Sequence, residues 1–149
     1  MSADEVRESD TIHMSEESIR TVLHEQGVGV LGLSDGDLPY LIPMSFGYDG
    51  ENTLYFVFLL FGTESRKETL AHDAERARFL VYDADSMHQW RSVSLTGGIE
   101  RVPEGEWDEL RVAMENAWHP SLFSGANPTR GVEGYRFDIE EWIGIQSPE

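Results

Sequence analysis

The sequence predicts a mainly β protein, an antiparallel barrel with peripheral helices, folded as one domain over residues 15–149 behind a flexible acidic arm, residues 1–14. Three observations predict it. Apolar segments follow one another as hairpins joined by tight turns, not in alternation with long helices, which argues against a doubly wound parallel sheet. Helical periodicity is confined to three short stretches. The segment TLYFVFLLF (53–61) lacks the alternation of a strand with one wet face, so both its faces are expected to be covered, one by the core and one by a second subunit.

The elements follow in order. Ser15 is placed to cap a helix whose Glu16 and Glu17 favour its positive end, whose Ile19, Val22 and Leu23 share a face, and which Gly27 stops. Val28 to Leu33 reads as a strand, SDGD (34–37) as a tight turn, and Leu38 to Tyr48 as a long strand interrupted by Pro39 and Pro43. DGEN (49–52) turns the chain into 53–61. A short helix over Ser65 to His72 leads to a strand over Arg78 to Tyr82, and after DADSMHQ another runs from Arg91 to Arg101. A helix over Gly105 to Trp118 carries Trp107, Leu110, Met114 and Trp118 at helical spacing. His119 to Gly134 reads as a Gly/Pro-rich loop, and two short strands, Tyr135 to Ile139 and Trp142 to Gln146, close the chain.

Composition narrows the function. The 149 residues suffice to bury about 70% of the surface the unfolded chain exposes. Without cysteine there are no disulfides, thiolate metal sites or cysteine nucleophiles. The net charge of -17 is spread along the whole chain, the pattern of a protein from a high-salt cytoplasm, where screening tames self-repulsion. Nucleic acid is not an expected partner, because phosphate-backbone binding needs a basic stripe. The start MSADEVRESD is acidic and polar, so neither signal peptide nor membrane anchor is expected, and the reading is a cytoplasmic protein.

Three stretches hold candidate chemistry. In GTESRKETL (62–70), Lys67, the only lysine, stands beside Arg66 where a strand hands over to a helix. Free N–H groups, the helix dipole, the hydroxyls of Thr63 and Ser65 and two cations make a phosphate site there; the competing reading pairs the cations with Glu64, Glu68 or Asp73. There is neither a Walker sequence nor a GxGxxG, so the expectation is an anion site without a nucleotide loop. In LIPMSFGY (41–48), Pro43 cannot join a ladder, which leaves backbone groups free for a planar heterocycle or else marks a bulge with Met44 and Phe46 in the core. In HQWRSVSLTGG (88–98), Trp90 can cover a ring and Arg91 meet a phosphate, or Trp90 can plug a strand end, while Gly97 and Gly98 mark a bulge or close approach. The five histidines show no metal-ligand spacing, no G-x-S-x-G elbow is present, and EGEWDE (104–109) reads as a solvated helix face.

These stretches, with VGVLGLSDGDLPYLIPMSFGYDG before LYFVFLLF–GTESRK and WRSVSLTGGIERV after it, resemble the pyridoxamine 5′-phosphate oxidase-like flavin-binding split barrels. The likeness is to the small single-domain branch that includes nitroimidazole-resistance-type proteins, and it extends from about Ser15 to Gln146. It implies a six-stranded antiparallel split barrel, a homodimer, and FMN in a cleft between subunits. Pro43, Met44, Ser45 and Phe46 match the strand whose backbone borders the flavin ring. Thr63, Ser65, Arg66 and Lys67 match the segment around its phosphate, and Trp90, Arg91 and Ser92 match the far side of the cleft. The function implied is an oxidoreductase using FMN on a small-molecule substrate. A non-catalytic flavin carrier or sensor and a deazaflavin-dependent reductase are the alternatives, and the family also accommodates haem.

Overall fold

The computed structural model describes residues 12–59, 66–114 and 132–148. A two-residue strand, β1 (Ile12–His13), leads into helix α1 (Glu16–Glu25), followed by β2 (Val28–Asp35), β3 (Leu38–Tyr48) and β4 (Thr53–Leu59). Helix α2 (Arg66–Asp73) precedes β5 (Arg76–Ser86) and β6 (Gln89–Val102); a 3-10 turn at Glu104–Glu106 then enters helix α3 (Trp107–Ala113), and β7 (Val132–Gln146) ends the order. All pairings are antiparallel in the order β7-β4-β3-β2-β5-β6, and β6 returns to β7, so six strands close into a barrel. Of the residues read as an acidic arm, 1–11 lie outside the described residues, and Ile12–His13 pair with Gln146 and Ile145 of β7.

Local chemistry explains the elements. The Ser15 hydroxyl caps α1 by accepting the Ser18 N–H, and Ile19, Val22 and Leu23 bury one helix face in the core. Gly36, at φ +62°, supplies the left-handed residue of the β2–β3 turn, which a residue with a Cβ adopts at a cost. Asp49 holds the next turn by accepting the N–H groups of Glu51 at 2.8 Å and Thr53 at 3.1 Å. Inside the barrel, Phe79 meets Phe46 edge-on at 5.3 Å and Phe56 at 4.9 Å between ring centres, and all three are fully buried.

The strands outrun the sequence reading, since β5 continues to Ser86 and β6 begins at Gln89 within DADSMHQ and β7 begins at Val132 within the expected loop, and two further features differ in kind. The last two short strands are one strand: the β6–β7 register moves from Thr96↔Glu141 to Gly97↔Ile139, leaving Glu140 as the extra residue of a bulge. Gly97 sits at that bulge because a Cβ there would overlap the Asp138 carbonyl. The second difference concerns β4. Its inward Leu54, Phe56 and Phe58 are core as expected, and its outward Tyr55 and Val57 are covered by the chain's own helix. Tyr55 is buried with Val102, Leu110, Ala113 and Met114, and Val57 and Trp107 pack against them. The covering helix approaches closely because Gly47 lies beneath it, where a Cβ would overlap the Ala113 carbonyl. Of the helix expected over 105–118, residues 115–118, Trp118 included, lie outside the described residues. No described helix is long and apolar enough to cross a membrane.

Candidate functional site: the split between two strands

The barrel is split on one side. β3 and β4 pair only through Phe46↔Phe56, Gly47↔Tyr55 and Tyr48↔Leu54. Beyond that point β4 stays with β7 as far as Leu59↔Val132, while β3 stays with β2 as far as Asp35↔Leu38. A wedge therefore opens between them, and from Leu38 to Ser45 β3 has no strand partner on that side among the described residues. Direction follows from one bond: the Phe46 N–H donates to the Gly27 carbonyl at 3.0 Å, on the β2 side. Because successive residues of a strand alternate in direction, the Ser45 N–H and C=O and the Pro43 C=O face the wedge. Pro43 and Pro39 stand where the missing N–H costs no ladder bond, so the prolines mark the open edge. The side chains of Met44 and Phe46 are core, Pro43 is exposed and Ser45 half-buried. Both readings of LIPMSFGY thus hold at once, with core side chains on a backbone that borders open space.

The start of α2 faces the wide end of this wedge. Thr63 and Ser65 lie outside the described residues. Arg66 reaches across to the β2–β3 turn and forms a two-pronged ion pair with Asp35, whose hydrogen bond and charge raise the arginine's pKa further. Lys67 stands over the Phe58 ring, its Nζ 5.6 Å from the centroid. Arg66 therefore bonds across the fold, to a residue 31 positions away, rather than along the helix face. Glu68, read from the sequence as a solvated partner, is buried instead.

The far end of α2 is tied down by groups the sequence does not flag. His72 Nε2 lies 2.9 Å from Glu133 Oε2, which also accepts the Tyr135 hydroxyl at 3.0 Å and lies 3.9 Å from Arg101 Nε. Burial, reinforced by the charge of Glu133, holds the Tyr135 phenol far above its ordinary range. Glu133, His72 and Asp35 carry no local spacing signal, because the His72–Glu133 and Arg66–Asp35 pairs join residues 61 and 31 positions apart, and Tyr135 joins them through Glu133, two residues away.

Trp90, Arg91 and Ser92 begin β6 at the other end. Arg91 donates to Asp83 at 2.9 Å and to Glu25 at 3.1 Å, joining the β5–β6 hairpin to the end of α1, and the Asp83 hydrogen bond is the main cause of its raised pKa. Trp90 is half-buried, and its backbone is clamped by Ser147, with the Ser147 N–H donating to the Trp90 carbonyl at 3.0 Å. Beside it opens a groove of about 1060 Å³ lined by Asp83, Asp85, His88, Trp90, Arg91 and Gln146 among others.

Register shows what one chain brings together. Pro43, Val30, Leu80, Ser94 and Ile143 form one row across five strands, and Ser45 and Ser92 each lie two residues further in the same direction. Asp35, where Arg66 is held, lies seven residues along β2 from the partner of Ser45, about 23 Å at strand spacing. The open edge presents Pro43 and Ser45 along its length and has Arg66 and Lys67 at its wide end, and Ser45, like Trp90 to Ser92, stands well apart from the two cations. No group of three or more potential metal ligands occurs among the described residues.

A closed six-stranded split barrel with this open edge defines the class. The family model for pyridoxamine 5′-phosphate oxidase matches residues 15–146, and the chain belongs to that family. No curated protein matches the sequence. Solved structures with the same fold include a FAD-binding protein from Mesorhizobium loti, 20% identical, with a TM-score of 0.72 over 93% of this chain and 99% of that one. A FAD-binding protein from Mycobacterium smegmatis is 17% identical, with a TM-score of 0.70 over 93% and 99%. A candidate 5-nitroimidazole antibiotic resistance protein from Bacteroides thetaiotaomicron is 18% identical, with a TM-score of 0.65 over 93% and 91%.

Proposed function

We propose that this chain binds FMN in the wedge between β3 and β4 and serves as a flavin-dependent oxidoreductase acting on a small molecule in a high-salt cytoplasm. The observation that carries the reading is one arrangement: a free strand edge with backbone donors and acceptors that leads, at the wide end of the wedge, to the chain's only adjacent pair of cations. The wedge fits the group. Ser45 N–H and Pro43 C=O would meet the edge of the ring, and Lys67 and Arg66 its phosphate. Arg66 is exposed and its link to Asp35 is a surface ion pair, which a dianionic phosphate can displace at small cost. Bound flavin would supply hydride or electron transfer, and the protein's part is to hold it flat and keep one face open.

The reading includes a homodimer, supported by a barrel face that is bare among the described residues. Val28, Leu41, Leu80 and Tyr82 project outward from β2, β3 and β5, exposed by 39%, 65%, 38% and 56%, with Pro43 and Ser45 among them. An apolar patch on so charged a protein is the kind of surface that interfaces use, and it supports the dimer reading. It also adjoins the wedge, so a second copy docked there would bring its own Trp90, Arg91 and Ser92 toward the flavin, whose phosphate end lies far from this chain's own Trp90 to Ser92.

The purified protein, kept in molar salt, is expected to take up FMN at micromolar concentration with a perturbed flavin absorbance spectrum and to sediment as a dimer. FAD is the competing occupant, since the M. loti and M. smegmatis proteins bind it. Absence of binding by both flavins would end the reading, and preference for FAD would correct the cofactor. Turnover with nicotinamide donors separates an enzyme from a carrier.

A further inference from the structure

We infer that the groove beside Trp90 selects its small molecule by charge, taking planar aromatic cations and rejecting anions such as phosphate esters. This rests on the flavin reading only for its role as a substrate site, since binding itself needs no flavin. The groove has the size of a small-ligand site. Half-buried Trp90 lines it, and against an indole an aromatic cation gains both by stacking and by charge–quadrupole attraction.

The charges then decide the sign. Arg91 is the one arginine or lysine lining the groove, where His88 is the other basic side chain, and its guanidinium is already engaged by two carboxylates, Asp83 at 2.9 Å and Glu25 at 3.1 Å. An anion entering the groove would have to compete with both. Asp85 tips the balance further. It stands at a register shift between Ala84 and Ser86, is exposed at the groove, and has no cationic partner among the described residues. The excess of carboxylates over the single arginine leaves the groove negative around an aromatic wall. The family's name points to a phosphate ester, and the charge of this groove points away from one.

The test uses one ring in three charge states, titrated into the FMN-loaded protein by calorimetry at the lowest salt at which circular dichroism shows the fold intact. The N-methylnicotinamide cation is expected to bind best, neutral nicotinamide at least threefold more weakly, and anionic nicotinate not measurably. Asp85→Asn should weaken the cation roughly fivefold while leaving nicotinamide and FMN within twofold, and Trp90→Leu should weaken cation and neutral ring together. Nicotinate binding as tightly as the cation, or an Asp85→Asn protein that treats all three rings as the wild type does, overturns the proposal. Repeating the series on flavin-free protein separates the two readings. Failure of FMN to bind with the charge order kept removes the flavin reading alone, and FMN binding with the order reversed removes this one alone.

Discussion

Arg66 and Arg91 stand at opposite ends of one barrel, both bonded to carboxylates, and the difference between them is how readily each could exchange its partner for a ligand. Arg66 meets one carboxylate, its side chain is 59% exposed, and it lies at a helix start facing a strand edge with unused backbone groups. Arg91 meets two, from different elements, and is 30% exposed. An arginine with one solvent-screened partner can exchange it for a phosphate; an arginine that holds a helix end to a hairpin gives up part of the fold if it moves. The same residue type, equally conspicuous in the sequence, is thereby held with different firmness by its surroundings.

The largest effect is expected at the first of the two. Arg66→Ala combined with Lys67→Ala should raise the dissociation constant for FMN by roughly a hundredfold, the loss of two charge-assisted contacts, while riboflavin, which has no phosphate, changes less than threefold. Fluorescence titration of the two flavins measures both. Equal losses would mean that the pair serves the fold, and the contrast with Arg91 would disappear.

The sequence made the barrel legible because its signals are local: turn residues at SDGD and DGEN, a capped amphipathic α1, and alternation in β2 and β5. What it concealed was set by closure. TLYFVFLLF shows that both faces of β4 are covered, but whether by another subunit or by α3 depends on where the chain returns after β6, and the identity of Gly47 hints at this only once α3 is known to lie over it. At the candidate site, Pro43 and the Arg66–Lys67 pair were visible as residue types. The partners Asp35 and Glu133 were not, since each is joined to α2 across the barrel, 31 and 61 positions away.

A second effect tests the α2 end through pH. Burial raises the phenol of Tyr135 above the ordinary 10.0, and burial likewise raises Tyr48 and Tyr55. A folded-state pKa above the unfolded one means that the stabilisation is complete below pH about 10 and is lost as pH climbs through the folded-state values. Ionised Tyr135 would also turn from donor to Glu133 into a second negative charge beside it and Glu68. Thermal midpoints should therefore fall above pH 10, with phenolate absorbance from these rings appearing only together with unfolding. Tyr135→Phe should flatten that fall while costing about 1 kcal/mol at neutral pH for the lost donor. An unchanged alkaline slope in the variant would remove Tyr135 from the account.

The smallest effect is expected at Arg91. Arg91→Ala breaks two partly exposed ion pairs, worth at most about 1 kcal/mol each, so the urea midpoint should drop modestly and the loss should shrink in molar salt. Removing the cation also leaves Asp83 and Glu25 facing each other unscreened, which adds to the loss at low salt and leaves the groove more negative. Binding of FMN and of riboflavin should fall together if at all, because Arg91 is already occupied and does not choose between a flavin with a phosphate and one without. Selective loss of FMN would show that a phosphate draws Arg91 away from both its carboxylates. Arg91 would then be the ligand-binding arginine, and the tie between α1 and the β5–β6 hairpin would be expendable.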